Sequence, residues 1–342
     1  MKLSHKLLTI LLAGIVVFSS GGISSYASQT TGSNQSKTQT TGGSGSSTAT
    51  GTAGEDASEE DGENGADIEA EIPEIPVESN EIDGWPQGPQ VSAESAIVME
   101  AQTGTILYAK NIDAAEYPAS ITKIMTALIA IRDGDLTDSV TVGPETVITE
   151  TGASLAHINP GDTLTMEQLL YGLMLPSGND AGAAIAVHMA GSTEAFAEKM
   201  NETAHALGAT DTHFVNPHGL NNEDHYTTAY DLYLIFNEAL KYPEFRKIIG
   251  TVSYRAQYTD STGQAKTQEW KNSNQYLNGK SKAPEGVAVI GGKTGTTRAA
   301  GSCLILGCQD ESGNDYISVV LKAENRDVLY DNMTKIMGKI VN

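Results

Sequence analysis

Apolar residues at Ile121, Ile124, Met125, Leu128, Ile129 and Ile131 fall at the three-and-four spacing of a helix with a broad buried face. Pro118 separates this helix from the chain before it, and Arg132-Asp133-Gly134-Asp135 ends it. Upstream, residues 96–100 and 105–110 are short strand-like runs around Gln102-Thr103-Gly104, the pattern of a hairpin. Downstream, 137–142 reads as a short strand or loop, 166–175 as a helix stopped by Pro176, and 181–190 as a helix of small residues. Residues 193–207 and 231–241 repeat the helical pattern, 252–258 alternate like a strand, and 270–277 carry no assignment. Three strands follow at 287–294, 301–309 and 316–322, the last two joined by the turn-forming Glu311-Ser312-Gly313-Asn314-Asp315, and 326–340 reads as a closing helix. Strands at both ends enclose helices, so the expected fold is α/β: one antiparallel sheet built from both chain ends, flanked by helices, with a mainly helical middle lobe.

Composition changes the picture mainly before residue 85. Lys2 and Lys6, an apolar run over 7–18 and the small-residue site Ser25-Tyr26-Ala27 mark 1–27 as an export signal, with cleavage expected after Ala27. The run is too short for an ordinary membrane span, and an uncleaved signal serving as an anchor is the alternative. From 28 to 54 the chain is almost wholly Ser, Thr, Gly, Gln and Ala, and from 55 to 83 it turns acidic without a single Lys or Arg. Such a stretch cannot bury enough apolar surface to fold, so 28–84 is expected to be a linker. The chain's formal charge of -22 therefore comes largely from a solvated tether. With that sign and no basic patch, nucleic-acid binding is not expected. The folded domain is placed at 85–342, long enough for one large domain or two packed lobes. Cys303 and Cys308 lie in one predicted strand at an odd separation, on opposite faces and roughly 16 Å apart, which predicts two buried thiols rather than a disulfide.

The chemistry starts at Ser120 and Lys123. Three residues apart at the start of a buried helix, they share one face where backbone N–H groups lack partners. That arrangement suits a serine nucleophile with a lysine base. Taken alone, the pair also reads as an N-cap and a surface lysine. Two further motifs follow in order, Ser177-Gly178-Asn179 and Lys293-Thr294-Gly295. Ser312-Gly313-Asn314 repeats the second in a turn, so its weight comes from position: Ser177 follows the Pro176 break and lies between the other two motifs. The ordered triplet is the type found in penicillin-binding proteins and class A β-lactamases. His157, His188, His205, His213, His218 and His225 show no compact ligand spacing, so catalysis without a metal or cofactor is expected.

From about Ser92 onward the sequence resembles the low-molecular-mass penicillin-binding proteins that act as serine D-alanyl-D-alanine carboxypeptidases, of the peptidase S11 type. The resemblance rests on Pro118-Ala119-Ser120 leading into Lys123-Ile124-Met125-Thr126, on Met174-Leu175-Pro176-Ser177-Gly178-Asn179-Asp180-Ala181, on Phe214-Val215-Asn216-Pro217-His218-Gly219-Leu220, and on Gly292-Lys293-Thr294-Gly295-Thr296-Thr297 followed by Ala300-Gly301. It implies a β-lactamase/transpeptidase-like fold, action on peptidoglycan stem peptides outside the cytoplasmic membrane, and acylation by β-lactams. It also implies roles: Ser120 attacks the carbonyl between two terminal D-alanines, Lys123 takes its proton, Ser177 relays a proton to the leaving amine, and Lys293 supplies a cation. Asn179 holds the peptide and the Lys123 amine, or alternatively caps the helix that begins near Ala181. An oxyanion hole is implied at the N–H groups of Ser120 and Thr296, and donors for the substrate carboxylate at Thr294, Thr297 and Arg326, the last alternatively a surface partner of Asp327. Gly295 belongs to the substrate-binding strand, where small residues let an extended peptide approach. Many members add a β-rich domain and an amphipathic C-terminal helix; this chain ends at Asn342, so anchorage by a C-terminal tail is not expected. A β-lactamase of the same fold is disfavoured by Ser-Gly-Asn in place of Ser-Asp-Asn and by Asn216-Pro217-His218-Gly219 where a Glu-bearing loop would lie. A non-catalytic wall-binding protein does not need the intact Ser120, Lys123 and Lys293.

Overall fold

A computed structural model describes residues 87–341. The expected export signal, the linker and the domain start at 85 lie outside them. The chain-end strands pair as expected. β1 (Ser95–Glu100) and β2 (Ile106–Lys110) join β7 (Ala288–Thr297), β8 (Gly301–Gln309) and β9 (Asp315–Ala323) in an antiparallel sheet of order β2-β1-β9-β8-β7. The two ends meet where Ala96 faces Val320 and Val98 faces Ser318.

Alternation along these strands feeds two cores, because successive side chains point to opposite faces. Ile97, Met99, Cys303, Ile305, Ile317 and Val319 enter the larger core, shared with the middle helices. Ala96, Val98, Leu304, Leu306, Cys308 and Val320 enter the smaller one, closed by Leu329, Met333, Ile336 and Met337 of the last helix (Arg326–Met337). Cys303 and Cys308 thus sit in different cores as free buried thiols, each pushed up to about 12 by burial.

The central element of the larger core is α1 (Lys123–Asp133), buried at every position from Lys123 to Ala130. Around it pack α2 (Met166–Met174), α3 (Asn179–Ala190), α4 (Thr193–Ala206) and α5 (Ala229–Ala239). Their starts follow local capping: Thr165 and Gln168 form a capping box on α2, Ser192 caps α4 and Thr228 caps α5.

Two features depart from the sequence expectation. A second antiparallel sheet, of order β3-β4-β5-β6, is built from β3 (Ser139–Thr141), β4 (Thr163–Thr165), β5 (Ser253–Thr259) and β6 (Ala265–Lys271). β5 matches the strand expected at 252–258 and β3 falls within the short strand or loop expected at 137–142, but β4 is three residues long and β6 buries only Trp270 fully, so those two carry no readable period. A helix α6 (Pro243–Gly250) also went unread; it is eight residues long and buries only Phe245, Ile248 and Ile249. The closing helix, α7 (Arg326–Met337), continues to Ile340 as a 3-10 turn.

Candidate active site

Four segments meet at one place. The first is the turn before α1. Ser120 does not lie in the first turn of the α-helix, as the sequence suggests, but in a 3-10 turn, Ala119–Thr122, that precedes it. Ala119 adopts φ 47, a left-handed conformation that costs a non-glycine residue energy and is kept only where the surroundings enforce it. Two glycines show how tightly the surroundings close. A Cβ on Gly219, itself at φ +84, would lie 1.8 Å from the Ala119 carbonyl oxygen. One on Gly295 would lie 2.8 Å from the Pro118 oxygen and 3.0 Å from the Ser120 nitrogen. The sequence assigns Gly295 to substrate approach; in the structure it lets β7 reach the turn that carries Ser120.

Lys123, the first residue of α1, is wholly buried. Its Nζ lies 2.9 Å from Ser120 Oγ, 2.7 Å from Asn179 Oδ1 and 2.6 Å from the His218 carbonyl oxygen. Burial drives its pKa well below the ordinary lysine value, the charge of Lys293 lowers it further, and Asp180 opposes both. A neutral amine has two N–H donors and one lone pair. Asn179 Oδ1 and the His218 carbonyl can only accept, so they take the two hydrogens. In that neutral form the lone pair is left facing the Ser120 hydroxyl, 2.9 Å away.

Asn179 and Ser177 come from the α2–α3 junction. Ser177 follows Pro176 in a left-handed conformation, φ 66, and α3 starts at Asn179. Asn179 does not cap that helix: its side-chain oxygen is turned to Lys123, and Gly178 is the N-cap with no side-chain bond. The neighbouring carboxylate does the local work instead. Asp180 is buried and accepts from the N–H groups of Ala156 (2.8 Å), Ala181 (2.9 Å) and Ile158 (3.2 Å). It thereby ties the 154–158 loop to the start of α3, aided by the Asn179 N–H donating to the Ser154 carbonyl at 2.8 Å. Burial raises its pKa despite those donors.

The fourth segment is β7. Lys293 is buried, and its Nζ donates to Ser177 Oγ at 3.0 Å and to the Thr294 carbonyl at 2.9 Å. Burial, then the charge of Arg326, brings its pKa down to about 7. Thr294 Oγ1 shares a 2.7 Å hydrogen bond with Ser273 Oγ. Thr296 is exposed at the strand end, while Thr297 Oγ1 accepts from the Ala300 N–H at 3.0 Å and so serves the turn. Arg326 starts α7 on the surface, next to the exposed Asp327.

Of the residues singled out by sequence, Ser120, Lys123 and Asn179 therefore form one hydrogen-bonded set and Ser177 and Lys293 a second, the two coupled through the charge of Lys293 on Lys123, and Thr294 and Gly295 adjoin them. Asp180, His218 and Ser273 were missed as site residues. Asp180 and His218 lie inside the quoted motifs, but His218 contributes through its backbone carbonyl, which no side-chain pattern announces. Its imidazole is pushed down to about 3 by burial and the neighbouring Lys123. Among the described residues, no group of three or more His, Cys, Asp or Glu side chains is arranged to hold a metal ion, and no helix is long and apolar enough to cross a membrane.

Comparison with known proteins agrees with this geometry. The family model for Peptidase S11, D-alanyl-D-alanine carboxypeptidase, matches residues 83–325. The D-alanyl-D-alanine carboxypeptidase of Streptomyces sp. (strain K15) is 35% identical over 261 residues, 73% of this chain and 87% of that protein. The D-alanyl-D-alanine carboxypeptidase DacF of Bacillus subtilis (strain 168) is 40% identical over 172 residues, 49% of this chain and 44% of that protein, so the match spans under half the length of that relative. Among solved structures, the Streptomyces K15 DD-transpeptidase superposes with a TM-score of 0.68 at 36% identity, covering 74% of this chain and 98% of its own. That structure has the same kind of α/β fold, with an antiparallel sheet from both chain ends and a helical middle. On its matched length and its relatives, the chain belongs to the Peptidase S11 family of D-alanyl-D-alanine carboxypeptidases.

Proposed function

We propose that this protein is a serine D-alanyl-D-alanine carboxypeptidase that removes the terminal D-alanine of peptidoglycan stem peptides through an acyl-enzyme on Ser120, and that β-lactams acylate the same serine. The observation that carries this is the wholly buried Lys123 amine, 2.9 Å from Ser120 Oγ, with its other two contacts to acceptors only. Ser120 Oγ forms a bond to the carbonyl carbon between the two D-alanines as its proton passes to Lys123 Nζ. The N–H groups of Ser120 and Thr296 receive the oxyanion, an interaction commonly worth about 3–4 kcal/mol in the transition state. Collapse breaks the C–N bond. The leaving amine takes a proton from Lys123, directly or through Ser177, whose hydroxyl is bound to Lys293 Nζ at 3.0 Å. Water then attacks the acyl-serine, giving its proton to Lys123; collapse breaks the bond to Ser120 Oγ, which leaves with that proton and regenerates the hydroxyl and the neutral amine.

Thr294, Thr297 and Arg326, with the Lys293 amine behind them, receive the substrate's free carboxylate, and the peptide pairs with the edge of β7. A β-lactamase requires a carboxylate free to activate the deacylating water. Asp180, the carboxylate beside Asn179 in sequence, is instead committed to three backbone N–H groups. The export signal at 1–27 and the linker at 28–84 set the domain on a tether on the cell-wall side of the cytoplasmic membrane.

The test is intact-protein mass after incubation with a penicillin, for the wild type and Ser120→Ala, alongside D-alanine release from a D-Ala-D-Ala peptide. A stable adduct of one penicillin on the wild type alone, with D-alanine released, is expected. Rapid penicillin turnover without D-alanine release means a β-lactamase. A folded protein giving neither adduct nor release is a wall-binding protein.

A further inference from the structure

His225 and Thr122 take no part in the chemistry above, yet both are buried against the turn that carries Ser120. Their hydrogen bonds run in one direction only. The Val215 N–H donates to His225 Nδ1 at 3.0 Å, so that nitrogen bears no proton and the ring proton lies on Nε2. His225 Nε2 is 2.8 Å from Thr122 Oγ1 and must donate to it. Thr122 Oγ1 is 2.8 Å from the Ala119 carbonyl oxygen, to which only the Thr122 hydroxyl can donate. That carbonyl belongs to the left-handed residue immediately before Ser120.

The imidazole is itself held by backbone. Two residues on, Thr227 and Glu116 exchange N–H to carbonyl bonds of 2.9 and 2.8 Å, which fixes the His225 segment to the chain just ahead of the Ser120 turn. On its other side, Tyr226 and His213 exchange bonds of 3.0 and 2.9 Å. Phe214 packs edge-on against the ring at 5.5 Å.

We infer that His225 and Thr122 are a positioning pair for the nucleophile: the Nε2–H tautomer of His225 commits the Thr122 hydroxyl proton to the Ala119 carbonyl and so holds the strained backbone from which Ser120 and Lys123 project. The inference rests on Ser120 being the acylated residue. A strained peptide relaxes unless it is over-determined, and here Gly219 also closes on the same carbonyl, with its would-be Cβ 1.8 Å from the Ala119 oxygen and 2.8 Å from Thr122 Oγ1. Burial, followed by the charges of His213 and Lys123, presses His225 down to about 4, consistent with a neutral ring.

The test uses the full chain and separates the non-covalent binding constant of a chromogenic penicillin from its first-order acylation rate. Thr122→Val, which keeps the shape and removes the hydroxyl, is expected to slow acylation on the order of ten- to a hundredfold with binding unchanged, because small misplacement of a nucleophile costs that much. Thr122→Ser restores the rate. His225→Gln, which keeps a donor toward Thr122, stays faster than His225→Leu. The double variant Thr122→Val with His225→Leu is no slower than the slower single, since both remove one chain of bonds. Thermal unfolding of each variant confirms that a folded protein is being assayed. Acylation of Thr122→Val at the wild-type rate, independent additive losses in the double variant, or a loss confined to binding overturns the inference. A wild type that takes no adduct on Ser120 overturns the acyl-enzyme reading and this one together, whereas a reactive wild type matched by Thr122→Val overturns this one alone.

Discussion

Lys293→Met is expected to make stability depend less on pH, because the site holds a lysine in a place that disfavours its charge. The folded pKa of Lys293 is brought down to about 7 from 10.5, first by burial and then by Arg326. Above pH 10.5 the lysine is neutral in both states and the burial carries no electrostatic penalty. As pH falls from there toward 7 the unfolded chain binds a proton that the folded protein does not, and stability drops by about 1.4 kcal/mol per pH unit. Below the folded value the loss stops growing. At pH 7 it amounts to about 4 kcal/mol, a large share of the roughly 5–15 kcal/mol that stabilises a typical domain. Met keeps the unbranched chain and removes the titration. It also leaves Ser177 Oγ and the Thr294 carbonyl without their donor, a cost of about 1–3 kcal/mol per group that does not change with pH. Lys123 titrates in both proteins, since burial is the leading cause of its own depression. The slope difference therefore reports Lys293 together with the smaller part of the Lys123 depression that the Lys293 charge causes. Urea unfolding at pH 7, 8, 9 and 10 should show the wild type gaining on the variant by about 1.4 kcal/mol per unit. Parallel curves would falsify the reasoning, because they would mean that Lys293 stays charged in the folded protein.

Two further outcomes follow from the packing around the same residues. Asp180→Asn sets an amide N–H₂ against one of the three backbone N–H groups that the carboxylate accepts, so stability should fall by about 1–3 kcal/mol in urea unfolding, and by more in Asp180→Ala; unfolding midpoints equal to the wild type's count against the tie between α3 and the 154–158 loop. Gly295→Ala places a methyl 2.8 Å from the Pro118 oxygen and 3.0 Å from the Ser120 nitrogen, so β7 or the turn must shift. A loss of about 1–3 kcal/mol and an acylation rate down about tenfold are expected, and a variant as fast as the wild type would show that this close approach is not needed.

The helices and the chain-end strands were legible because burial there is periodic. The alternation of Ile97 and Met99 against Ala96 and Val98 reports a sheet with a core on each face, and α1 reads as buried because it is apolar nearly all round. Of the second sheet only the strand at 252–258 and a short strand or loop at 137–142 were legible, not the sheet they join. Its strands are short or bury one residue in two at best, and they are defined by pairing across distant sequence, Thr163 with Thr259 for instance, which leaves little local trace.

For the site, sequence alone determined which groups are available: a hydroxyl and an amine three residues apart at a helix entry, a second hydroxyl with an amide, and a second lysine on a strand. A short motif fixes residue types and local spacing, and those suffice to predict that the groups belong together. Tertiary structure decided what each group does. The Lys123 amine is pressed well below its ordinary pKa because the fold buries it beside Lys293, and its contacts to Asn179 and the His218 carbonyl are brought from different segments. Asn179 faces Lys123 instead of capping its helix because Asp180 fixes that junction. His225, a hundred residues from Thr122 in sequence, meets it only through the pairing of Thr227 with Glu116. Burial and the direction of hydrogen bonds depend on what the folded chain places around a group, and a linear pattern does not carry them.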